Sequence, residues 1–281
     1  MESTKAILLL YLNIDMIKKI KVVVPTLNTY KILPKLVNSL KKQTWKDWNL
    51  LFVDGDSEET HYQYLLKSCK DESRLKILKQ QKDNKGIYGA MNQGFETIKE
   101  NELILFWGSD DWAISSNVFE NIVKKVNSYS KKFDLIVCKG IYVDKKSNKL
   151  SRVSNFFNSR YSNILDKGNF RKKLFLGMTP PHQATFFSKK AFVKLMSFSD
   201  KLVLASDLDY FLRFSKIENI SILVIDYDLV YMSTSGISSQ KSKLRLFEVL
   251  FSYMNSFGIF FLIPFILRYL RKISLKLNRR L

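Results

Sequence analysis

Two adjacent carboxylates, Asp110 and Asp111, follow the apolar run Leu103-Ile-Leu-Phe-Trp107 after Gly108 and Ser109. An apolar run of this length, bounded by polar residues, reads as a strand covered on both faces, as at the centre of a parallel sheet. Ligands of open α/β sheets bind beyond the carboxyl ends of such strands. A pair of acids there suits a hard divalent cation, which takes oxygen ligands and is commonly shared with substrate phosphates. The competing reading is a solvated turn with an aspartate capping the next helix. Asp54, after the strand Asn49–Val53, and Pro25-Thr26, after the strand Lys21–Pro25, end two further predicted strands. Lys85 beside Gly86, where a helix is expected to begin, suits an anionic group, because backbone N–H dipoles and an ammonium act together. The pattern is neither Gly-x-Gly-x-x-Gly nor Gly-x4-Gly-Lys-Ser/Thr, which removes the usual dinucleotide and P-loop readings. Gly86 and Gly89 also serve a tight turn and close packing.

The elements that hold these residues alternate. Strands are expected at Lys21–Pro25, Asn49–Val53, Leu75–Leu78 and Leu103–Trp107, with helices at about 32–42, 60–69 and 87–100. That rhythm implies right-handed crossovers and a doubly wound, mostly parallel sheet. Past residue 130 the signals loosen. Phe133–Cys138 and Gly140–Val143 read as strands, Lys189–Phe198 and Asp207–Lys216 as helices, and Ile222–Ile225 as a strand. The expected division is an extension at 1–19, a nucleotide-type half at 20–130, a half for a second substrate at 131–240 and a basic, apolar tail at 241–281. Residues 1–15 read as an extension or a misassigned start, since Ala6–Leu12 is too short to span a bilayer and no cleavage signal follows.

The chain has 281 residues, 46% of them hydrophobic, enough for a sizeable core and too apolar for general disorder. Its two cysteines, Cys69 and Cys138, lack metal-ligand spacing and fit a reducing cytoplasm. A net charge of +20, from 46 basic and 26 acidic residues, requires an anionic partner. No zinc-finger, ribonucleoprotein or recognition-helix pattern accompanies it, which argues against nucleic acid. Beyond Asp228 the only acid is Glu248, among nine Lys and Arg residues. Val249–Leu267 carries no charge, but Gly258 and Pro264 interrupt it, and six basic residues follow within the last fourteen. The expectation is a basic amphipathic tail attached to an anionic membrane surface, with Phe257, Phe260, Phe261 and Phe265 inserted; a true span and a buried soluble helix are the alternatives.

Six segments together resemble the inverting family 2 glycosyltransferases of GT-A fold, notably bacterial enzymes of O-antigen and capsule assembly. They are Val24-Pro-Thr-Leu-Asn28, Val53-Asp-Gly-Asp-Ser-Glu-Glu-Thr60, Asn84-Lys-Gly-Ile-Tyr-Gly-Ala-Met-Asn-Gln-Gly94, Trp107-Gly-Ser-Asp-Asp-Trp112, Pro181-His-Gln-Ala-Thr-Phe186 and Ala205-Ser-Asp-Leu-Asp209. The likeness covers roughly residues 20 to 240. It implies a GT-A fold, Rossmann-like with a mostly parallel sheet flanked by helices, in which 20–130 is the nucleotide-sugar-binding half and 131–240 the acceptor-binding half. By position it implies that Pro25, Thr26 and Asp54 form the base and ribose pocket, and that Lys85 and Gly86 approach the donor diphosphate. It implies that Asp110 and Asp111 form the metal element, with Asp111 the direct ligand of Mn²⁺ or Mg²⁺. Asp207 matches the general base, while His182, Asp209, Gly236 and Ser238 fall on the acceptor or diphosphate side. The chain departs from the family pattern at Gly55, Gly89 and Gly108. Two residues apart on a helix, Asp207 and Asp209 cannot both face one cleft; the resemblance selects Asp207, whose alternative role is a helix cap. What it implies overall is transfer of a hexose, first glucose from UDP-glucose in β-linkage, onto an undecaprenyl-diphosphate-linked sugar. The expected place is the cytoplasmic face of the inner membrane, peripheral or monotopic, with no nucleic-acid partner. A non-catalytic sugar-nucleotide or membrane-binding protein of the same fold is the alternative.

Overall fold

The structure, a computed structural model, describes residues 16–144, 150–154, 156, 164–234 and 241–277. The first half alternates as expected: β1 (Lys19–Thr26), α1 (Leu33–Lys41), β2 (Trp48–Asp54), α2 (Glu59–Asp71), β3 (Leu75–Lys79), α3 (Gly86–Glu96) and β4 (Glu102–Phe106). These four strands lie side by side in the order β3-β2-β1-β4, all parallel. Beyond β4 come β5 (Trp112–Ala113), α4 (Val118–Asn127), β6 (Leu135–Val143), β7 (Leu150–Ser154), β8 (Ile164–Leu165), α5 (Lys167–Phe175), a 3₁₀ turn at His182–Ala184, β9 (Thr185–Ser188), α6 (Lys189–Lys194), α7 (Ser206–Phe214) and β10 (Ile222–Ser233). Here the sheet becomes mixed. It continues β4-β9-β6-β10-β5, with β9 antiparallel to both its neighbours and β6 parallel to β10.

Both faces of the sheet are covered, which is why its central strands carry no polar alternation. Successive side chains of a strand point to opposite faces. In β4, Ile104 and Phe106 enter the core beneath α3, α5, α7 and the C-terminal helices. Leu103 and Leu105, with Trp107 just past the strand, enter the other core beneath α1, α2 and α4. The result is a mixed α/β fold, a central sheet flanked by helices on both faces.

Four of the expected elements differ in extent, three for a tertiary reason and one for a local one. The two strands expected at 133–143 are one, β6, because β10 pairs along its whole length. For the same reason the strand expected at 222–225 runs on to Ser233. The helix expected to reach residue 100 stops at Glu96, where the Thr97 hydroxyl turns back onto the Gly94 carbonyl at 2.6 Å. The helix expected to reach Phe198 stops at Lys194. The chain after it is held extended by Asn92, whose side chain accepts from the Phe198 N–H at 2.7 Å and donates to its carbonyl at 3.0 Å.

The tail forms α8 (Ser242–Phe257), a 3₁₀ turn (Gly258–Phe260) and α9 (Leu262–Leu277). Gly258, with φ of 55°, breaks the apolar run in two. Among the described residues, no helix is long and apolar enough to cross a membrane. Phe257, Phe261 and Phe265, spaced four residues apart and so on one face, pack against the protein core, and of the four phenylalanines expected at a membrane only Phe260 is exposed. The outward surface is instead built from Phe247, Phe251, Ile259, Ile263, Ile266 and Leu270.

Candidate functional site

The carboxyl ends of β1, β2 and β4 share one edge of the sheet, and short side-chain bonds stitch their loops together. Asp54 is buried, and its Oδ1 accepts from the Ser57 hydroxyl at 2.6 Å and from the Thr26 hydroxyl at 3.4 Å. Its Oδ2 accepts from the Ser57 N–H at 3.1 Å. Asn28, in the left-handed region at φ 53°, accepts from the Glu58 N–H at 2.8 Å, which locks the β1 and β2 loops together. Behind Asp54 lies His61, fully buried, with Nε2 3.6 Å from the carboxylate. Burial lowers its pKa, opposed by the Asp54 charge. The sequence offered nothing to single out this histidine.

The loop after β4 is tied to β1: the Ser109 hydroxyl donates to the Pro25 carbonyl at 3.2 Å, and the Thr29 hydroxyl donates to Ser109 at 3.0 Å. Asp111 is buried, and its Oδ2 accepts from the Gly108 N–H at 2.6 Å; Asp110 is half-buried. Neither aspartate caps α4, since β5 intervenes and the residue at that helix's N-cap is Asn117. A Cβ on Gly108 would lie 3.1 Å from Asp110 Oδ1 and 3.3 Å from Asp111 Oδ2. Both carboxylates therefore converge on the space left by the glycine. No group of three or more His, Cys, Asp or Glu residues suited to a metal occurs among the described residues. Two converging hard oxygens fit a Mg²⁺ or Mn²⁺ ion that takes its remaining ligands from substrate phosphate and water, and suit a self-sufficient protein cage poorly.

Gln80 joins the β2 end to the loop that opens α3. Its N–H bonds the Asp54 carbonyl at 2.8 Å, and its side chain donates to the carbonyls of Asn84 and Gly86. Lys85, at the α3 N-cap, is exposed, and Gly86 takes φ of 74°. At Gly89 a Cβ would fall 2.2 Å from the Asn84 carbonyl oxygen. Glycine at position 89 is thus demanded by the turn of the chain.

Helix α3 also reaches the second half of the cleft. The Tyr88 hydroxyl lies 3.4 Å from Asp207 Oδ1, and His182 Nδ1 lies 3.2 Å from Asp207 Oδ2. Trp107 is buried, and its indole N–H donates to the Gln183 carbonyl at 2.9 Å, so the turn carrying His182 is fastened to the end of β4. Asp207 is the second residue of α7, whose N-cap is Ala205, so it is not the cap. Burial raises the Asp207 pKa, but the hydrogen bond and charge of His182, then the Arg245 charge and the Leu208 N–H, outweigh it and bring the carboxyl to about 2. Burial and the adjacent Asp207 charge push the Tyr88 phenol well up. Asp209 points elsewhere, its Oδ2 accepting from Arg213 Nε at 2.7 Å. Trp112 stacks beneath the Lys35 ammonium, 3.3 Å from the ring centre. Gly236 and Ser238 lie outside the described residues. The structure thus brings Pro25, Thr26, Asp54, Asp110 and Asp111 along one edge, and sets Asp207 with His182 and Tyr88.

The family described as "Glycosyl transferase family 2" matches residues 21–196, more than half of the chain. Among curated proteins, the chain is similar to the GalNAc(5)-diNAcBac-PP-undecaprenol beta-1,3-glucosyltransferase of Campylobacter jejuni. The two are 25% identical over 172 residues, which cover 56% of this chain and 54% of that enzyme, so the chain spans about half the length of that relative. Among solved structures, Staphylococcus aureus TarS 1–349 matches with a TM-score of 0.64 at 18% identity, covering 90% of this chain and 72% of that one. The same protein is solved with UDP and with UDP-GlcNAc. The mannosyltransferase PcManGT of Pyrobaculum calidifontis, in complex with GDP-Man and Mn²⁺, matches with a TM-score of 0.61 at 12% identity, covering 90% and 69%.

Proposed function

This chain belongs to glycosyl transferase family 2, and from that membership we propose that it is an inverting hexosyltransferase acting on a lipid-diphosphate-linked sugar. The observation that carries the reading is the half-buried Asp207 carboxylate, bracketed by His182 at 3.2 Å and Tyr88 at 3.4 Å. Asp207 accepts the proton of an acceptor hydroxyl as that oxygen bonds to the sugar's C1. The bond from C1 to the donor phosphate oxygen breaks on the opposite face, and its electron pair leaves with the nucleoside diphosphate. Attack opposite the leaving group inverts the anomeric centre. A base positioned this way contributes about 10²–10⁴-fold. No acid is needed on the nucleotide, so the two-carboxylate scheme of glycosidases does not apply.

Asp110 and Asp111 would hold a divalent ion, Mn²⁺ or Mg²⁺, which when bound offsets charge developing on the leaving diphosphate. Thr26 and Asp54, fixed by Ser57, face the nucleoside, with Pro25 at the strand end. Lys85 and the Gly86 amide attract the diphosphate. UDP-glucose is the first candidate donor, its glucosyl group supported by the glucosyltransferase activity of the Campylobacter relative and its nucleotide by the UDP complex of TarS. The undecaprenol-diphosphate-linked acceptor of that relative also supports a lipid-linked substrate. The exposed apolar surface of α8 and α9, flanked by Lys241, Lys243 and Arg271, supports peripheral attachment to an anionic leaflet, at about 1 kcal/mol for each basic residue near it. The cytoplasmic face of the inner membrane is the place where such a donor and acceptor meet.

The test is a panel of UDP-glucose, UDP-galactose and UDP-N-acetylhexosamines against a synthetic lipid-diphosphate sugar, with Mn²⁺ and with chelator. Transfer should need the metal. Asp207→Asn should lose at least about 10²-fold in turnover while still binding UDP. Wild-type turnover by that variant would remove the assignment.

A further inference from the structure

Helix α7 is launched by a segment whose backbone is held from an unexpected direction. Three consecutive N–H groups converge on the carboxyl group of Glu248, which belongs to α8. Glu248 Oε1 accepts from Val203 at 2.9 Å, and Oε2 accepts from Leu204 at 2.7 Å and from Ala205 at 2.9 Å. Glu248 is 4% exposed, and its neighbours on the same helix, Val249, Ser252 and Tyr253, are buried with it. A carboxyl group at such a depth is costly unless donors surround it. These three donors form a nest of successive backbone N–H groups, a geometry suited to one acceptor. Substituting an apolar residue would pack α8 against the core but leave three buried N–H groups without partners.

Ala205 is the N-cap of α7, and Asp207 stands two residues further on. The dihedral angles of 203–205 therefore set the direction in which α7 leaves, and with it the aim of the Asp207 carboxylate toward His182. The Ser206 hydroxyl, donating to the Ser199 carbonyl at 2.9 Å, braces the same turn from the other side. We propose that Glu248 is a positioning residue for Asp207, so that α8 is part of the active centre as well as a surface element. This rests on the reading of Asp207 as the base. It explains why an acid stands alone in a tail otherwise rich in Lys and Arg. Misplacement of a reacting group by about 1 Å can cost about 10²-fold in rate.

The full-length protein carrying Glu248→Gln, Glu248→Ala or Glu248→Asp, alongside Asp207→Asn, tests it through kcat, KM for donor and acceptor, UDP affinity and Tm. The Gln amide oxygen still accepts from Leu204 and Ala205, while its NH₂ group opposes the Val203 N–H. Its kcat should fall about 10- to 100-fold, with donor KM and UDP affinity within about twofold of wild type. Glu248→Asp keeps the acceptor charge and should recover part of that loss; Glu248→Ala should lose most. If the Ala variant fails to fold, the Gln and Asp pair carries the comparison. A Gln variant with wild-type kcat, or one whose loss follows only the folded fraction, overturns the positioning role. Wild-type turnover by Asp207→Asn would instead remove the base itself, a distinguishable failure.

Discussion

Replacing His182 separates what the histidine does to the charge of Asp207 from what it does to its aim. The Asp207 carboxyl sits at about 2 against an ordinary 3.8, although burial alone would raise it. The difference corresponds to roughly 2 kcal/mol in favour of the ionised form. Because the folded value lies below the unfolded one, this stabilises the fold at pH above about 4 and is lost as pH falls toward 2. His182 supplies the largest opposing effect, ahead of Arg245 and the Leu208 N–H, while Tyr88 faces the other carboxylate oxygen. His182→Phe keeps a ring but removes both hydrogen bond and charge, so burial should dominate and lift the carboxyl above its ordinary value. His182→Gln keeps a donor without the charge and should fall between. Initial rates of sugar transfer, at saturating donor and metal from about pH 4 to 9, should show no acid limb from Asp207 in the wild type. For His182→Phe an acid limb should appear between about pH 4 and 6. At pH 7.5 Asp207 is ionised in all three proteins, so the loss there reports aim alone, about 10- to 100-fold for one charge-assisted bond. Superimposable profiles for His182→Phe and wild type would refute the pairing.

Gly89→Ala should lower stability by about 1–3 kcal/mol, since its Cβ would meet the Asn84 carbonyl oxygen at 2.2 Å; thermal unfolding with and without UDP measures both the cost and the disturbed diphosphate loop. Asp110→Asn should weaken Mn²⁺-dependent UDP binding with little change in Tm. Asp111→Asn should lower Tm as well, because its buried Oδ2 accepts from Gly108; calorimetric titration and melting distinguish the two. Truncation after residue 240 should destabilise the protein, because it strips Glu248, Val249 and Tyr253 from the core. Replacing Phe260, Ile263 and Leu270 by serine should instead reduce binding to anionic vesicles at unchanged Tm; equal vesicle binding would argue against attachment through that face.

Local pattern carried much of the fold. The four parallel strands, the helices between them and the edge bearing Thr26, Asp54 and the Asp110–Asp111 pair follow from runs of apolar residues broken by polar ends. Strand and helix periodicity are properties of neighbours in sequence, so neighbours in sequence reveal them. Asp207 was selected over Asp209 through a resemblance, and the geometry gives the physical difference: one faces His182, the other is taken by Arg213. Glu248 left a trace, as a lone acid in a basic tail, but nothing nearby in the chain said what it bonds.

The amino-acid order alone determined the alternating strands and helices of the first half, and on which strand ends the carboxylates stand. The tertiary structure decided who meets whom. Tyr88 and Asp207 are 119 residues apart, His182 and Asp207 25, and Glu248 lies 44 from Leu204. It also decided that Phe257, Phe261 and Phe265 in the tail turn inward, because α8 and α9 fold back onto the core. Such meetings depend on how the cores close over both faces of the sheet, and the energy of that closure is shared among residues that no local window contains.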